Sequence, residues 1–397
     1  MKDMNDEILQ SLQTIYPDMV QWRRYLHRHP ELSFHEQATS EWIAQKLKEI
    51  GCDVQEGVGG YGLIATIQGT RPGPVIALRA DIDALPIQDE KACDYASAVP
   101  GVMHACGHDA HTATMLGIAG YYVSRREQFA GERRLLFQPA EEVTPGGAVG
   151  MIAEGALEEV DAIYGVHLWT PLAYGKVATK GGPFMAAADE FYIDIVGKGG
   201  HGGLPHETVD TIVIGSGLVQ SLQTIVSRNM NPLEPAVVSV GSFHAGSTAN
   251  VIAERCRIKG TVRTFTEEAR ERIRKRLETI VTHTGELYGA ETALDYRDGY
   301  PPVVNDEAEA ERFFRVANEL FGEDAVEQSS YIMAGEDFTY YLHKVKGCFM
   351  LVGAGNAACN AVYPHHHPRF DLDERSMLMS ARLMIAMAED FASKERS

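Results

Sequence analysis

The sequence lacks an excess of basic residues. Its 397 residues include 36 Lys and Arg against 55 Asp and Glu, so the formal net charge is -19. Such a charge repels phosphate backbones and acidic lipid surfaces, so we expect neither a nucleic acid nor a membrane as partner. A long apolar run is also missing, because polar residues interrupt the most apolar segment, residues 209–226. That segment is predicted to be a buried helix and not a membrane span.

Neither a secretion signal nor a disulfide framework is predicted. Residues 1–19 have neither a basic n-region nor an apolar h-region, so no signal peptide is predicted. The six cysteines are scattered over a long chain, which favours reduced thiols in a cytoplasmic protein. What the chain does have is length and 45% apolar residues, enough for two globular domains.

Helix and strand patterns alternate in the first part of the chain. Apolar residues recur at helical spacing from Ile8 to Met19, and a second helix is predicted from about Glu36 to Ile50, ending at Gly51. The short β-rich runs that follow, with a helical pattern over 112–123 among them, are residues 63–67, 75–78, 135–137 and 162–166. This alternation predicts an α/β fold with a mostly parallel, doubly wound sheet.

A different order of elements follows from residue 183 to residue 296. The predicted strands are residues 191–196, 236–243, 255–264 and 292–296, and the predicted helices are residues 208–228 and 267–287. The order β-α-β-β-α-β is typical of a ferredoxin-like unit. We therefore predict one domain of residues 1–182 and 297–397, interrupted by an inserted α+β domain of residues 183–296.

Titratable residues follow three strands of the first predicted domain. In chain order they are Asp83, the pair Glu141-Glu142, and His167. In open α/β sheets, sites form beyond the carboxyl ends of the strands, so these side chains are expected at one edge. The strongest local motif, residues 104–111 (HACGHDAH), adds a thiol and an imidazole at Cys106 and His108, a pair suited to zinc.

Each of these residues also has an ordinary explanation when taken alone. A single histidine is usually structural, a Glu-Glu pair is usually solvated, and the run 365–367 could be a surface tract. Cys106 could also be the nucleophile of a thiol hydrolase with His108 as its base, although two residues in one loop are poorly placed for that. The convergence of these groups on one sheet edge favours a metal site.

Nine motifs carry a resemblance over nearly the whole chain. They are residues 104–111, 79–86, 137–142, 165–168, 197–202, 250–252, 260–263, 335–338 and 366–370. Together they resemble the metal-dependent aminoacylase and amidohydrolase family, which includes N-acyl-L-amino acid amidohydrolases, hippurate hydrolases and auxin-conjugate hydrolases. The resemblance implies that a metal-activated water hydrolyses the amide bond of small N-acyl-L-amino acids, with such an amino acid as the substrate partner.

The resemblance also implies a role for each residue of the site. Two divalent metal ions per subunit, zinc in the first place and cobalt, manganese or nickel as alternatives, would be held by Cys106, His108, Glu142, His167 and His366. Cys106 is the candidate for a bridging ligand, because five protein ligands cannot fill two tetrahedral shells. Glu141 would be the general base, and Asp83 would orient a ligand histidine.

The inserted domain contributes the remaining implied residues. His201 would stabilise the oxyanion, and Asn250 and Arg263 would bind the carboxylate of the substrate. The inserted domains would pair in a homodimer or a higher homo-oligomer, so that His201 reaches the site of the neighbouring subunit. The segment 143–145 (VTP) departs from the glycine-rich turn of the family and leaves the acyl group open.

Two alternatives to this hydrolase remain. A dipeptidase or carboxypeptidase of the same superfamily is disfavoured by the Cys-Gly-His motif. A non-catalytic binding module is disfavoured by the presence of Glu141, which such a protein could lose.

Overall fold

A computed structural model describes residues 2–394, with side chains from residue 6 onwards. The chain divides into two compact units. The first unit contains the residues up to Gly182, the segment Val304–Ser330 and the residues from Asp337 onwards, and the second unit contains Pro183–Val303 and Tyr331–Glu336.

The predicted second domain boundary, at residue 296, is too early. Residues just beyond it still bond to the second unit: Gly299 N donates to the Asp189 carboxylate (2.9 Å), and Ala188 N donates to Tyr300 O (3.1 Å). The later segment Tyr331–Glu336 joins the same unit because Ala186 N donates to Ile332 O (2.9 Å).

In the described residues, the α-helices are α1 (Lys2–Arg28), α2 (Gln37–Ile50), α3 (His108–Val123), α4 (Gly147–Ala153), α5 (Thr211–Thr224), α6 (Glu267–Tyr288), α7 (Glu307–Phe321), α8 (Thr339–Leu342) and α9 (Ser376–Lys394). The strands are β1 (Asp53–Val58), β2 (Gly62–Gln68), β3 (Arg71–Asp81), β4 (Ala130–Gln138), β5 (Val160–Ala173), β6 (Val177–Thr179), β7 (Gly182–Met185), β8 (Ala187–Val196), β9 (Gly200–His201), β10 (Val237–Ala245), β11 (Val251–Ile252), β12 (Arg255–Thr264), β13 (Glu291–Arg297), β14 (Val303–Asn305), β15 (Val326–Gln328) and β16 (Gly347–Gly355).

The first unit is built on a sheet with the strand order β1-β2-β4-β3-β5-β16-β6-β15. Its central strands β4, β3, β5 and β16 are parallel to their neighbours within that group, whereas β1, β2 and β6 introduce antiparallel pairs. Helices α3 and α9 both pack on β3. The predicted α/β fold with a mostly parallel sheet is confirmed.

Local chemistry sets the ends of these elements. Helix α2 ends as predicted at Gly51, whose left-handed φ of 103° lets its N–H bond to the last carbonyls. Helix α3 begins at His108, four residues before the predicted start, directly after Gly107 with a φ of 96°. Nearly every side of α3 is buried, so its first turn has no amphipathic pattern to detect. Strand β5 also runs on past its predicted end, so His167 lies inside it.

The second unit has the predicted element order β-α-β-β-α-β. Its sheet has the order β10-β12-β8-β13 with every neighbour antiparallel, and helices α5 and α6 pack against it. Helix α5 begins at Thr211, three residues later than predicted, because the Asp210 carboxylate caps it by accepting from Ile212 N and Val213 N. A short ribbon of β9 and β11, which was not predicted, forms within this unit.

Among the described residues, no helix is both long and apolar enough to cross a lipid bilayer.

Candidate metal centre

Strand ends of the first unit deliver the predicted acidic groups. Strand β3 ends at Asp81, two residues before Asp83. Strand β4 ends at Gln138, and the chain then passes through Ala140, which has a left-handed φ of 51°, to Glu141-Glu142. Because β3 and β4 are parallel, their carboxyl ends lie at the same edge of the sheet.

Cys106 lies at the centre of a group of donor atoms. Its Sγ is 3.3 Å from His167 Nε2, and both side chains are buried. The donor atoms of Cys106, His108 and His167 all lie within 4.8 Å of one another. A thiol and two imidazoles at this spacing are suitable ligands for one ion of a zinc-type site.

Cys106 also belongs to a second group, together with Glu142 and His366. Glu142 Oε1 lies 3.4 Å from His366 Nε2. A third group, of His108, Glu141 and Glu142, shares His108 with the first group and Glu142 with the second. In it, His108 Nε2 lies 3.9 Å from a carboxylate oxygen of Glu141 and 3.9 Å from one of Glu142. The structure therefore brings together all five predicted ligands and the predicted base.

The three consecutive histidines have different surroundings. His365 is half-buried and stacks on Trp169 at 4.5 Å, and its Nε2 accepts from Thr170 N (3.2 Å). His367 stacks on Tyr363, and its Nδ1 accepts from Arg369 N (3.0 Å). Of this run, His366 alone contributes to a candidate metal group within the described residues.

Asp83 contacts the predicted ligands in two ways. Its Oδ1 lies 3.2 Å and its backbone oxygen 3.0 Å from His108 Nδ1, so the other ring nitrogen faces the donor group. Its Oδ2 accepts from Glu142 N (3.0 Å) and from the Ser33 hydroxyl (2.7 Å). One carboxylate thus orients a histidine and also anchors the backbone of a glutamate.

A second group of buried residues, none of which has a role predicted from the sequence, lies beside these ligands. The Asp81 carboxylate accepts from Arg79 Nη1 (2.6 Å) and pairs with His111 Nδ1 (2.7 Å), while His111 Nε2 accepts from Leu168 N (2.9 Å). Arg79 Nη2 in turn donates to Asp337 (2.8 Å). The motifs 79–86 and 335–338 contain several of these residues, but the spacing of a motif does not show its hydrogen bonds.

The charges at this centre call for a cation. Burial and the carboxylates of Glu142, Glu141 and Asp81 raise the pKa of Cys106, so its thiol keeps its proton unless a positive charge is added. Burial lowers the pKa of His108, but Asp81, Asp83 and Glu142 outweigh it and raise that pKa to about 10. Burial and the neighbouring His111 lower the pKa of His167, which keeps that imidazole neutral and free to coordinate.

The donor chemistry fits divalent metal ions. His108 Nε2 and Glu142 Oε1 are buried without a hydrogen-bond partner in the described part of the chain, and both belong to the donor groups. Buried polar atoms of this kind are costly unless something binds them. Sulfur, nitrogen and oxygen donors together suit zinc and its neighbours in the first transition row.

The other predicted residues lie in the second unit. The ribbon of β9 and β11 places His201 opposite Val251, next to Asn250, whose backbone oxygen accepts from Gly202 N (2.8 Å). His201 Nδ1 accepts from Gly203 N (3.0 Å), and the side chains of His201 and Asn250 are exposed. Arg263 lies on β12. The roles of these three residues remain predictions.

Comparison with known proteins places this chemistry in a family. The profile described as Peptidase family M20/M25/M40 matches residues 77–390. An N-acyl-L-amino acid amidohydrolase of Geobacillus stearothermophilus is 46% identical over 76% of this chain and 81% of the relative. Thermostable carboxypeptidase 1 of Saccharolobus solfataricus is 35% identical over 99% of this chain and 100% of the relative.

A solved structure agrees with these relatives. The YXEP protein of Bacillus subtilis, described as a dinuclear metal binding peptidase of the M20 family, aligns with a TM-score of 0.83 and 34% identity, covering 96% of this chain and 99% of that one. The predicted resemblance to a family of metal-dependent hydrolases is thereby confirmed, and this chain belongs to peptidase family M20/M25/M40.

Proposed function

We propose that this enzyme hydrolyses the amide bond of small N-acyl-L-amino acids, releasing a carboxylate and a free amino acid. The observation that carries the proposal is the group of sulfur, nitrogen and oxygen donors with Glu141 beside it, in a chain 46% identical to an N-acyl-L-amino acid amidohydrolase.

Two divalent ions would be held by Cys106, His108, Glu142, His167 and His366. Cys106 belongs to two of the donor groups, which makes it the candidate for a shared ligand. Zinc is the first choice because of the thiolate, with cobalt, manganese or nickel as alternatives. When bound, such ions supply an activated water and polarise the carbonyl oxygen of the substrate.

Glu141 would act as the general base. Its side chain is buried, and a carboxylate oxygen lies 3.9 Å from His108 Nε2, beside the donor groups and not in solvent. From there it would take the proton of the attacking water and return it to the nitrogen of the leaving amine. Asp83 would keep His108 oriented during this exchange.

Arg263 and Asn250 would bind the carboxylate of the substrate. The half-buried guanidinium of Arg263 donates to Met333 O (3.2 Å), to Val262 O (3.0 Å) and to the Thr261 hydroxyl, all of them neutral acceptors. Among the described residues this guanidinium forms no ion pair, although the negative charges of Asp189 and Glu190 partly offset the lowering of its pKa by burial. A carboxylate ligand would supply a directly bonded counter-charge.

A homodimer, or a higher homo-oligomer built from it, would complete each site through His201. Support comes from β10, which is one of the two edge strands of its sheet and so carries unpaired backbone groups. Exposed apolar side chains accompany it, namely Phe243 on β10 and Ile212 and Val213 on α5.

The proposed compartment is the cytoplasm. Support comes from the six cysteines, because all of them are free thiols.

A carboxypeptidase or dipeptidase is the second candidate, since a carboxypeptidase is 35% identical over 99% of this chain. The test is a panel of N-acetyl, N-benzoyl and N-indoleacetyl amino acids run beside dipeptides, with enzyme reconstituted in zinc, cobalt, manganese or nickel. We expect higher kcat/KM on the acyl amino acids. Faster cleavage of dipeptides would select the second candidate, and full activity after exhaustive chelation would rule out both.

A further inference from the structure

The loop between α1 and α2 reaches both sides of the metal centre. Ala84 N donates to Glu31 O (2.9 Å), and the Ser33 hydroxyl donates to Asp83 Oδ2 (2.7 Å). At the end of the loop, Glu36 Oε1 accepts from Ala140 N at 2.7 Å, a contact between residues 104 positions apart. The sequence pattern predicts Glu36 only as the approximate start of a helix.

We propose that Glu36 is a positioning residue for the general base Glu141, through its hydrogen bond to the backbone of Ala140. This inference rests on the proposed function, in which Glu141 moves the proton. Glu36 is not itself a ligand, because it belongs to no candidate metal group within the described residues.

The backbone of Ala140 has an unfavourable conformation that its surroundings must stabilise. Its φ of 51° lies in the left-handed region, which residues other than glycine rarely adopt unless the surroundings impose it. Both of its backbone polar groups are fixed, the N–H by Glu36 and the carbonyl by Gly147 N (3.1 Å). The direction in which the chain leaves Ala140 sets where the next side chain points.

Glu141 therefore lies between two fixed points. Ala140 is held on one side by Glu36, and Glu142 N is held on the other by Asp83 Oδ2 at 3.0 Å. Without Glu36, the second anchor still keeps the ligand Glu142 in place, whereas the first is lost. The expected consequence is a misdirected base in a site that still binds metal.

The burial of Glu36 agrees with this role. The residue has no exposed surface, and its Oε2 has no hydrogen-bond partner among the described residues. A buried carboxyl group with one unpaired oxygen is unfavourable for folding. The short bond to Ala140 N gives this side chain a specific task that an apolar residue could not perform.

Two substitutions separate positioning from mere packing. Glu36→Gln keeps an oxygen acceptor of the same reach, whereas Glu36→Met keeps the volume without the acceptor. We expect kcat of Glu36→Met to fall by up to about 10²-fold, the cost of a misplaced catalytic group, with KM and bound metal unchanged. Glu36→Gln should stay close to the wild type. Equal loss in both variants, or normal kcat in Glu36→Met, would overturn the proposal.

Amide hydrogen exchange of the peptide spanning residues 137–142 gives a readout independent of turnover. The Ala140 amide should be protected in the wild type and in Glu36→Gln, and should exchange faster in Glu36→Met. If Glu36→Met does not fold, the wild type still decides, because an unprotected Ala140 amide would contradict the hydrogen bond. An inactive wild type with a protected Ala140 amide would instead count against the proposed function alone.

Discussion

The two units present their candidate residues in opposite ways. In the first unit Cys106, His108, Glu141 and His167 are buried, with donor atoms a few ångströms apart. In the second unit His201 lies on a two-stranded ribbon and Asn250 directly precedes one of its strands, and both side chains are exposed. His201 Nδ1 accepts from Gly203 N, and Asn250 Oδ1 accepts from the Thr248 hydroxyl. The first arrangement is preorganised within one chain, whereas the side chains of the second are open to solvent.

The two units also differ in the charges that surround their candidate residues. The first unit concentrates the carboxylates of Asp81, Asp83, Glu141 and Glu142 around a thiol, and calls for cations. In the second unit the guanidinium of Arg263 donates to neutral acceptors, the carbonyl oxygens of Met333 and Val262. The difference separates a metal centre from groups that would bind substrate, and the predictions below test that separation.

The largest effect is expected inside the first unit, from its paired glutamates. Glu141→Gln should keep its metal and lose about 10²–10⁴-fold in kcat, because proton transfer is removed and coordination is not. Glu142→Gln should lose metal instead. Steady-state kinetics together with metal analysis of both purified variants decide the matter, and reversed phenotypes would mean that the base and the ligand are exchanged.

The run of three histidines, residues 365–367, tests which of them binds metal. His366→Ala should lose metal and activity, because Nε2 of His366 lies 3.4 Å from Glu142 Oε1. His367→Ala is the matched control, since this ring stacks on Tyr363 and belongs to no candidate metal group of the described residues. Metal titration of both variants provides the comparison. A fully loaded His366→Ala enzyme would remove His366 from the ligand set.

His201 tests whether the second unit acts on another subunit. His201→Ala should lower kcat by about 10²–10³-fold, the usual cost of losing one oxyanion donor. If the donor comes from a partner, mixing His201→Ala subunits with Glu141→Gln subunits creates one site with both groups intact in each mixed dimer. Activity should then recover toward half per dimer. Proven subunit exchange without recovery would show that His201 acts within its own chain or not at all.

The smallest effect concerns the pH dependence of stability at Glu36. Burial, with a contribution from the charge of Asp83, raises the pKa of Glu36 to about 7 from its ordinary value of 4.5. The folded state therefore binds the carboxyl proton of Glu36 more tightly than the unfolded state does. Protonation of Glu36 stabilises the fold, and this stabilisation is complete below pH 4.5 and is lost as the pH rises through about 7. Glu36→Gln cannot titrate.

Denaturant unfolding of both proteins at about pH 5 and about pH 8 measures this difference. Between these values the wild type should lose, relative to Glu36→Gln, on the order of 3 kcal/mol of unfolding free energy. Parallel pH profiles of the two proteins would show that Glu36 titrates normally.

Local patterns in the sequence were enough to predict the α/β class, the order of elements in the inserted domain, and the carboxylates of Asp83, Glu141 and Glu142 that follow strands. These follow from local information, namely hydrophobic periodicity and the residues that come directly after a strand. The motif around Cys106 and His108 could be recognised for the same reason, since its metal-ligand types stand two positions apart.

The remaining features depend on contacts between distant parts of the chain. Folding brings the predicted ligand His366 to Glu142, and it gives Asp83 a backbone amide of Glu142 in addition to the predicted histidine. It also moved the second boundary to Val303 and brought Glu36 to Ala140. Hydrophobic periodicity predicts which side of a helix or strand is buried. The partner of a buried polar group depends instead on how helices and strands pack together, and no local sequence pattern predicts that packing.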